Sequence, residues 1–338
     1  MNKDLQAIVR VLPFVRSVAA RRASAALRVR ALLRNLAGTG RRLARLRRDV
    51  SELLRIDPLF VARDAAGFRR GEDHARLHDQ LAQHMQMLEA GGGRMRLRRF
   101  CLCCNETTPM RMDLEASWED VEGNRSPNWR ERLVCGHCGM NSRQRLMAKL
   151  VQQAARERTG ASIYLMEQVT PIFDWVRRLP GADVQGSEYL GYAYRGGDRV
   201  AGLRHEDVMA LSHGDASFDV IVSNDVLEHI PDPAAAFREC FRVLRPGGVV
   251  LATFPFHADR PATVVRARLA HDAVEHLHPP HYHGNPVSAD GSLVFQDFGW
   301  DLLDVMRQAG FADAACEVYM NDAYGHLGAG LLVFRLCK

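Results

Sequence analysis

Apolar residues follow two rhythms along this chain, and each predicts a different kind of element. The first 90 residues or so are rich in Ala, Leu and Arg and poor in β-branched and aromatic types. That mixture predicts helix, interrupted near Pro13, Gly38-Thr39-Gly40 and Pro58. Leu43, Leu46, Val50 and Leu53 alternate spacings of three and four, as a coiled-coil seam or a helical hairpin does. Beyond residue 160 the apolar residues gather into short solid runs: Ser162–Met166, Phe218–Val222, Val249–Thr253, Ala315–Tyr319 and Leu331–Leu336. Such runs suit strands buried on both faces. Between the second and third runs, Pro231-Asp232-Pro233 opens a helix whose Ala236, Phe237, Cys240, Phe241 and Leu244 share one side, and Pro246-Gly247-Gly248 is expected to stop it. Another helix is expected within Phe298–Phe311, with Leu302, Leu303, Val305 and Met306 inward, Trp300 in the core and Gly310 as C-cap. A third starts after a cap at Asn141 or Ser142. Strands alternating with helices predict a doubly wound α/β sheet, whose ligands lie beyond the carboxyl ends of its strands; Ser223, Asn224 and Asp225 occupy one such end.

Charge divides the chain where the rhythm changes. Residues 1–100 carry 22 Lys and Arg against 9 Asp and Glu, and the remainder carries 23 against 31, within a net charge of +5. The basic character therefore belongs to the N-terminal third. Three readings of it stay open: a solvated extension, a helix pair for self-association or docking, and a basic surface for anionic lipid or nucleic acid. Aromatic interleaving for base stacking is nearly absent from the first 90 or so residues, with Phe14, Phe60 and Phe68 the only cases. No uninterrupted apolar run reaches the 18 or so residues of a membrane span, and Arg10 and Pro13 interrupt the start as a signal peptide. The expected location is cytoplasmic, or peripheral to a membrane through the arm. Gly91-Gly92-Gly93 reads as a flexible boundary, so a basic helical arm is expected over 1–93, a small segment over 94–140 and the α/β domain over 141–338.

The small segment carries its own chemistry. Cys101-Leu102-Cys103-Cys104 and Cys135-Gly136-His137-Cys138 are separated by 30 residues. Two CxxC pairs, each on a tight knuckle, supply four thiolates in the tetrahedral arrangement that structural zinc prefers, with Cys101, Cys104, Cys135 and Cys138 as ligands. Cys103 is left over, and His137 is a weaker ligand beside a thiolate. About 40 residues with few large apolar groups bury too little surface to fold alone, so the metal is expected to supply the fold.

The residues Ser217-Phe-Asp-Val-Ile-Val-Ser-Asn-Asp-Val-Leu-Glu-His229 and Leu244-Arg-Pro-Gly-Gly248 resemble the class I S-adenosylmethionine-dependent methyltransferases in order, spacing and identity. The resemblance covers about residues 141–338. It implies a Rossmann-like seven-stranded sheet with an antiparallel last strand, S-adenosylmethionine as methyl donor, and donor contacts near the first strand ends. Glu167 supplies the acid that ends the first strand, and Glu188, 21 residues on, is the implied partner of the ribose hydroxyls. Asp207 is the implied acceptor for the adenine amino group, with Val208 packing on the ring and Glu206 as the fallback. The family's glycine-rich turn is missing, since Glu167-Gln-Val-Thr-Pro171 holds no glycine. Either Gln168 and Thr170 contact the donor through side chains, with Asn224 nearby, or binding has been lost. Methyl transfer needs an aligned acceptor and, for a hydroxyl or amine, a base. His229, Asp225, His281 and His283 are the candidates, the last two in a Pro- and His-rich insertion where the family covers its acceptor. The acidic α/β half disfavours a polyanionic acceptor, so a small molecule, sugar or cell-envelope glycan precursor is expected. The rivals are a binding or scaffold protein that kept the fold, and an RNA methyltransferase using the basic arm.

Overall fold

The computed structural model describes residues 55–119, 125–271 and 273–338. The seam residues Leu43, Leu46, Val50 and Leu53, and with them most of the basic arm, lie outside the described residues.

In chain order the main elements are β1 (Phe60–Ala62), α1 (Ala65–Ala75), α2 (Leu77–Ala90), β2 (Met95–Cys101), β3 (Glu106–Met112), β4 (Val134–Cys135) and α3 (Ser142–Arg156). They continue with β5 (Ser162–Leu165), α4 (Pro171–Val176), β6 (Asp183–Gly186), β7 (Phe218–Asn224), α5 (Pro233–Val243), β8 (Leu244–Thr253), β9 (Tyr282–Asn285), β10 (Ser288–Leu293), α6 (Leu302–Gln308), β11 (Asp313–Asn321) and β12 (His326–Cys337). Two compact units form. One gathers Gln80–Lys149 and Met320–Ala329; the other gathers Pro58–Asp79, Leu150–Tyr319 and Gly330–Lys338.

The larger unit is built on a seven-stranded sheet in the order β1-β11-β12-β8-β7-β5-β6. β6, β5, β7 and β8 run parallel, and β12 lies antiparallel to β8. This is the Rossmann-like sheet with an antiparallel last strand that the sequence implies. All seven residues of β7 are buried, which explains its near-continuous apolar run. Its one early acid, Asp219, is neutralised where it enters: the carboxylate accepts from Ser162 N at 2.8 Å and pairs with Arg245 at 2.7 Å and Arg158 at 3.2 Å. α5 opens as expected, with Pro233 in the first turn and the Asp232 side chain accepting from Ala235 N at 3.0 Å.

Four expectations need correction. The segment after Pro58 is not helix at once: Phe60, Val61 and Ala62 form β1, antiparallel to Cys316–Val318, and so supply the outer edge of the sheet. An aromatic and a β-branched residue favour that short extended stretch, and Phe60 packs on Phe68, itself against Trp300, at ring separations of 5.7 and 5.6 Å. Burying Phe68 in that cluster contributes about 2–3 kcal/mol. At the opposite edge the chain after β6 adds only an isolated parallel bridge, Glu188 to His205. Gly91–Gly93 is no loose boundary; it is a hydrogen-bonded turn joining α2 to β2, and Leu88 and Met95 share one buried cluster. Pro246-Gly247-Gly248 do not stop α5, which ends at Val243; they lie in the irregular start of β8, where the pairing with β7 shifts register. α6 is shorter than Phe298–Phe311 because Trp300 is pinned first, its indole N–H donating to Ala258 O at 2.9 Å.

The smaller unit holds the three-stranded antiparallel sheet β2-β3-β4. Leu88, Met110, Met112, Trp129, Leu133 and Leu327 bury its inner face. The start of α3 is capped reciprocally: Gln144 N donates to Asn141 Oδ1 at 2.8 Å, and Asn141 N donates to Gln144 Oε1 at 3.2 Å. Arg145 follows, 2% exposed, with its guanidinium donating to the carbonyls of Leu133, Tyr324 and Gly325 at 2.9–3.3 Å.

Candidate functional sites

The parallel strands β6, β5, β7 and β8 end side by side, and their carboxyl ends carry most of the residues singled out from the sequence. Glu167, just after β5, is buried and accepts from the Asn224 amide at the end of β7. Asn224 Oδ1 in turn accepts from Thr253 Oγ1 at 3.3 Å, at the end of β8. Asn224 therefore ties three strand ends together. Asp225 follows in the left-handed region at φ 53°, its N–H donating to Thr253 O at 2.8 Å.

The glycine-free loop adopts a different solution from a glycine turn. Gln168 N and Val169 N both donate to Glu188 Oε1, at 2.6 and 3.0 Å, and Gln168 Oε1 accepts from Arg204 N at 3.0 Å. No residue from Glu167 to Pro171 has a positive φ. The close approach that glycine would allow is supplied by the neighbouring strand instead. A Cβ built on Gly186 would stand 2.7 Å from Glu167 O and 2.4 Å from the Phe173 ring. Thr170, expected among the donor contacts, caps α4, its Oγ1 accepting from Phe173 N at 3.4 Å ahead of Pro171.

Burial pushes the Glu188 carboxyl above the usual carboxylate range, with the N–H groups of Gln168 and Val169 pulling the other way. The Glu188–His205 bridge brings Glu188 next to the segment that carries Asp207. There the choice between adjacent acids is made by burial. Glu206 is 1% exposed and already engaged, accepting from Ser212 N at 2.9 Å, Ser212 Oγ at 2.6 Å and Arg204 Nε at 2.8 Å. Burial would raise its pKa, but these Ser212 and Arg204 contacts hold it below the ordinary value. Asp207 is half-buried, with Oδ1 accepting from Met209 N at 2.9 Å, and Val208 beside it is buried.

A second group of side chains assembles from the turn after β7 and from the insertion. Leu227–His229 is a single 3-10 turn, and Phe295 N, just beyond β10, donates to Glu228 O at 2.8 Å. Three of the four candidate bases meet here: the His229 and His283 rings are 4.9 Å apart and the His281 and His283 rings 5.0 Å apart. The fourth, Asp225, faces Thr253 Oγ1 at 3.4 Å. Glu228 was not among the residues picked from the sequence. Its side chain is 1% exposed, and neither carboxylate oxygen has a hydrogen-bond partner among the described residues. His229 Nε2 and His283 Nδ1 lie 3.6 and 3.5 Å from its Oε1. The available signal was its place directly before His229 in the motif.

In the smaller unit the four cysteines of the two CxxC pairs converge. Cys101 and Cys138 sulfurs are 3.9 Å apart, Cys104 and Cys135 sulfurs 3.8 Å, and all four lie within 4.8 Å of one another. A tetrahedron with arms of about 2.3 Å has edges of about 3.8 Å, so the set has the dimensions of a zinc–thiolate site. Thr108 Oγ1 at 3.2 Å and His137 N at 3.4 Å approach the Cys135 sulfur. Gly139, at φ 71°, makes the second knuckle's turn. His137 turns away to Glu106, 3.0 Å from its Nδ1, and the Cys103 thiol donates to Arg145 O at 3.5 Å. Neither belongs to the quartet.

Residues 182–252 match the family described as a methyltransferase domain. A ubiquinone biosynthesis O-methyltransferase of Xanthomonas oryzae pv. oryzae is 49% identical over 140 residues, 41% of this chain and 46% of the relative. An arsenite methyltransferase of Aquipseudomonas alcaligenes is 45% identical over 60 residues, 17% of each. Among solved structures, a 1,6-didemethyltoxoflavin-N1-methyltransferase of Burkholderia thailandensis, with its substrate and S-adenosylhomocysteine bound, aligns with 58% of this chain and 77% of its own at 19% identity and a TM-score of 0.34. The chain spans less than half the length of these curated relatives.

Proposed function

We propose that the chain is a class I S-adenosylmethionine-dependent methyltransferase, as its match to a methyltransferase domain and its O-methyltransferase relative support, and that it methylates an oxygen of a small-molecule acceptor, in the class of small hydroxylated compounds that includes sugars and glycan precursors. The observation that carries this reading is the pairing of two acids at the strand ends. Glu188 engages the loop through Oε1, and its Oε2 accepts nothing from the described residues; Asp207 follows directly from the bridge that Glu188 makes. One carboxylate oxygen thus builds the loop and the other is left for the ribose hydroxyls, while Asp207 takes the adenine amino group and Val208 the ring. Gln168, Thr170 and Asn224 shape this site without touching the donor: Gln168 links the loop to Arg204, Thr170 caps α4, and Asn224 fixes Glu167 against Thr253.

Bound S-adenosylmethionine supplies an electrophilic methyl group on a sulfonium sulfur. The protein's part is to align the acceptor in line with the breaking bond and to take its proton. His229, with Nδ1 donating to Leu293 O at 2.8 Å, presents Nε2 as its basic atom, and His283 and His281 extend the array over the insertion. The O-methyltransferase relative and the acidic balance of residues beyond 100 support a small acceptor over a polyanion. In the smaller unit, Cys101, Cys104, Cys135 and Cys138 hold a structural zinc ion whose four positions are all filled by protein.

Thermal unfolding with S-adenosylhomocysteine tests the donor site. At about 100 times its dissociation constant the ligand adds roughly 2.7 kcal/mol of stability, and Glu188→Ala removes that gain. An unfolding temperature unmoved by about millimolar ligand would leave the scaffold reading standing.

A further inference from the structure

The carboxylate of Glu228 poses a problem that hydrogen bonds do not solve. It is 1% exposed, and among the described residues neither oxygen has a hydrogen-bond partner. A buried charge left in that state is strongly unfavourable unless a cation meets it. What faces it are two imidazole nitrogens. His229 donates through Nδ1 to Leu293 O, which accepts only, so in the neutral ring Nε2 presents a lone pair toward the carboxylate. His283 brings Nδ1 from the other side. The His229 lone pair and the inward-turned carboxylate repel one another unless something positive lies between them.

We propose that Glu228, His229 and His283 form a second metal site, binding a divalent transition ion of the zinc type through one carboxylate oxygen and two imidazole nitrogens. The three donor atoms lie within 4.8 Å of one another, and Oε1 stands 3.6 and 3.5 Å from the two nitrogens. Ligands about 2.1 Å from a tetrahedral zinc ion are separated by about 3.4 Å, so the two carboxylate–imidazole separations already match within about a tenth or two of an ångström, and the two imidazole nitrogens, within 4.8 Å of each other, need only draw together around the ion. The chemistry of the donors matches as well: one carboxylate and two imidazoles with a vacant position is the composition of catalytic rather than structural zinc. Leu293 O behind His229 Nδ1 is the outer partner that fixes the tautomer a ligand needs.

The ligands come from two places in the chain. Glu228 and His229 stand on the turn after β7, His283 on β9 of the insertion. The ion would therefore pin the insertion to the catalytic turn. On the methyltransferase reading, on which this last point alone rests, the ion would replace His229 Nε2, then its ligand, in promoting loss of the acceptor's proton: its open position would receive the acceptor oxygen and make that proton more acidic.

Zinc content of the full chain, measured after excess zinc and desalting, decides the matter without any methyl transfer. The expected result is two zinc ions per chain in the wild type and one in both Glu228→Gln and His283→Ala. The remaining ion belongs to the cysteine quartet, and cobalt substitution identifies it by its thiolate charge-transfer absorption, unchanged in both variants. Glu228→Gln keeps the side chain's shape and removes the buried charge, so loss of folding does not obscure the result; added zinc raises the unfolding temperature of the wild type and not of this variant. One zinc in the wild type, or two in either variant, overturns the proposal. Either result leaves the donor site at Glu188 untouched, because the unfolding shift with S-adenosylhomocysteine reads that site separately.

Discussion

The smaller unit and the sheet unit each bring ionisable side chains together, but in opposite ways. In the smaller unit four sulfurs gather within 4.8 Å of one another across two knuckles, paired at 3.9 and 3.8 Å, and on the proposed zinc reading the protein would fill every position around the centre. In the sheet unit the strand ends gather Glu167, Glu188 and Asp207, and beside them a turn gathers Glu228 with His229 and His283, the Glu228 oxygens having no hydrogen-bond partner among the described residues. A closed set of donors serves folding, since nothing remains to bind a substrate. An open set serves recognition, since its unmatched groups wait for a ligand. The unmatched acids of the sheet unit are therefore the part of the chain to test for activity, and the matched cysteines the part to test for stability.

The largest effect expected of any single change is at the quartet. Cys135→Ser removes a thiolate from a small unit whose apolar core is modest, and structural zinc sites of this kind carry apparent binding energies of about 10–16 kcal/mol in small domains. Loss of that zinc and of the cooperative unfolding of the β2-β3-β4 sheet is expected, followed by elemental analysis and circular dichroism. A variant that keeps both would show the cysteines to be ordinary core residues.

Next in size is Glu188→Ala, which removes a carboxylate that orders the loop and is proposed to bind the ribose. Charge-assisted hydrogen bonds contribute about 1.5–3 kcal/mol each, so affinity for S-adenosylhomocysteine should fall at least tenfold to a hundredfold while zinc content stays constant. Unchanged affinity would move the ribose contact elsewhere.

A smaller effect follows from pH. Burial raises the Glu188 pKa above the ordinary value of 4.5. The ribose hydroxyls need the carboxylate as acceptor, so the ligated state favours the deprotonated form. Affinity for S-adenosylhomocysteine should therefore weaken as pH falls through that raised value, beginning at a higher pH than for an ordinary glutamate. Glu188→Gln flattens this profile. Titration calorimetry across the acid range reads it, and a flat wild-type profile would contradict the assignment.

The smallest effect separates a cap from a contact. Thr170→Ala should cost about 1 kcal/mol of stability through the lost cap on α4 and leave ligand affinity within twofold. A large loss of affinity with little loss of stability would restore Thr170 to the donor site.

How legible these features were in the sequence depended on the distance over which each is defined. The cysteine quartet and the β7–α5–β8 unit are written in local spacing, and the structure reproduces them closely. Thr170-Pro171 is also a local signal, a cap followed by proline at the first helical position, and the structure shows that cap. The role of that glycine is visible in Gly186, on another strand, where a Cβ would strike Glu167 O. β1 has three residues inside a helix-forming segment, and only its pairing with residues more than 250 positions away defines it. Glu228 and His283 are 55 positions apart, with no periodicity to join them; burial of the carboxylate is what marks the pair, and burial is a tertiary property.

The central claim is that a glycine-free loop closed on Glu188 still forms a methyl-donor site. Equilibrium dialysis of labelled S-adenosylmethionine against the wild type, Glu188→Ala and Thr170→Ala tests it most directly. The account predicts saturable binding of one donor per chain in the wild type and in Thr170→Ala, and its loss in Glu188→Ala. No retention by the wild type at about millimolar donor, or equal retention by all three, would contradict it.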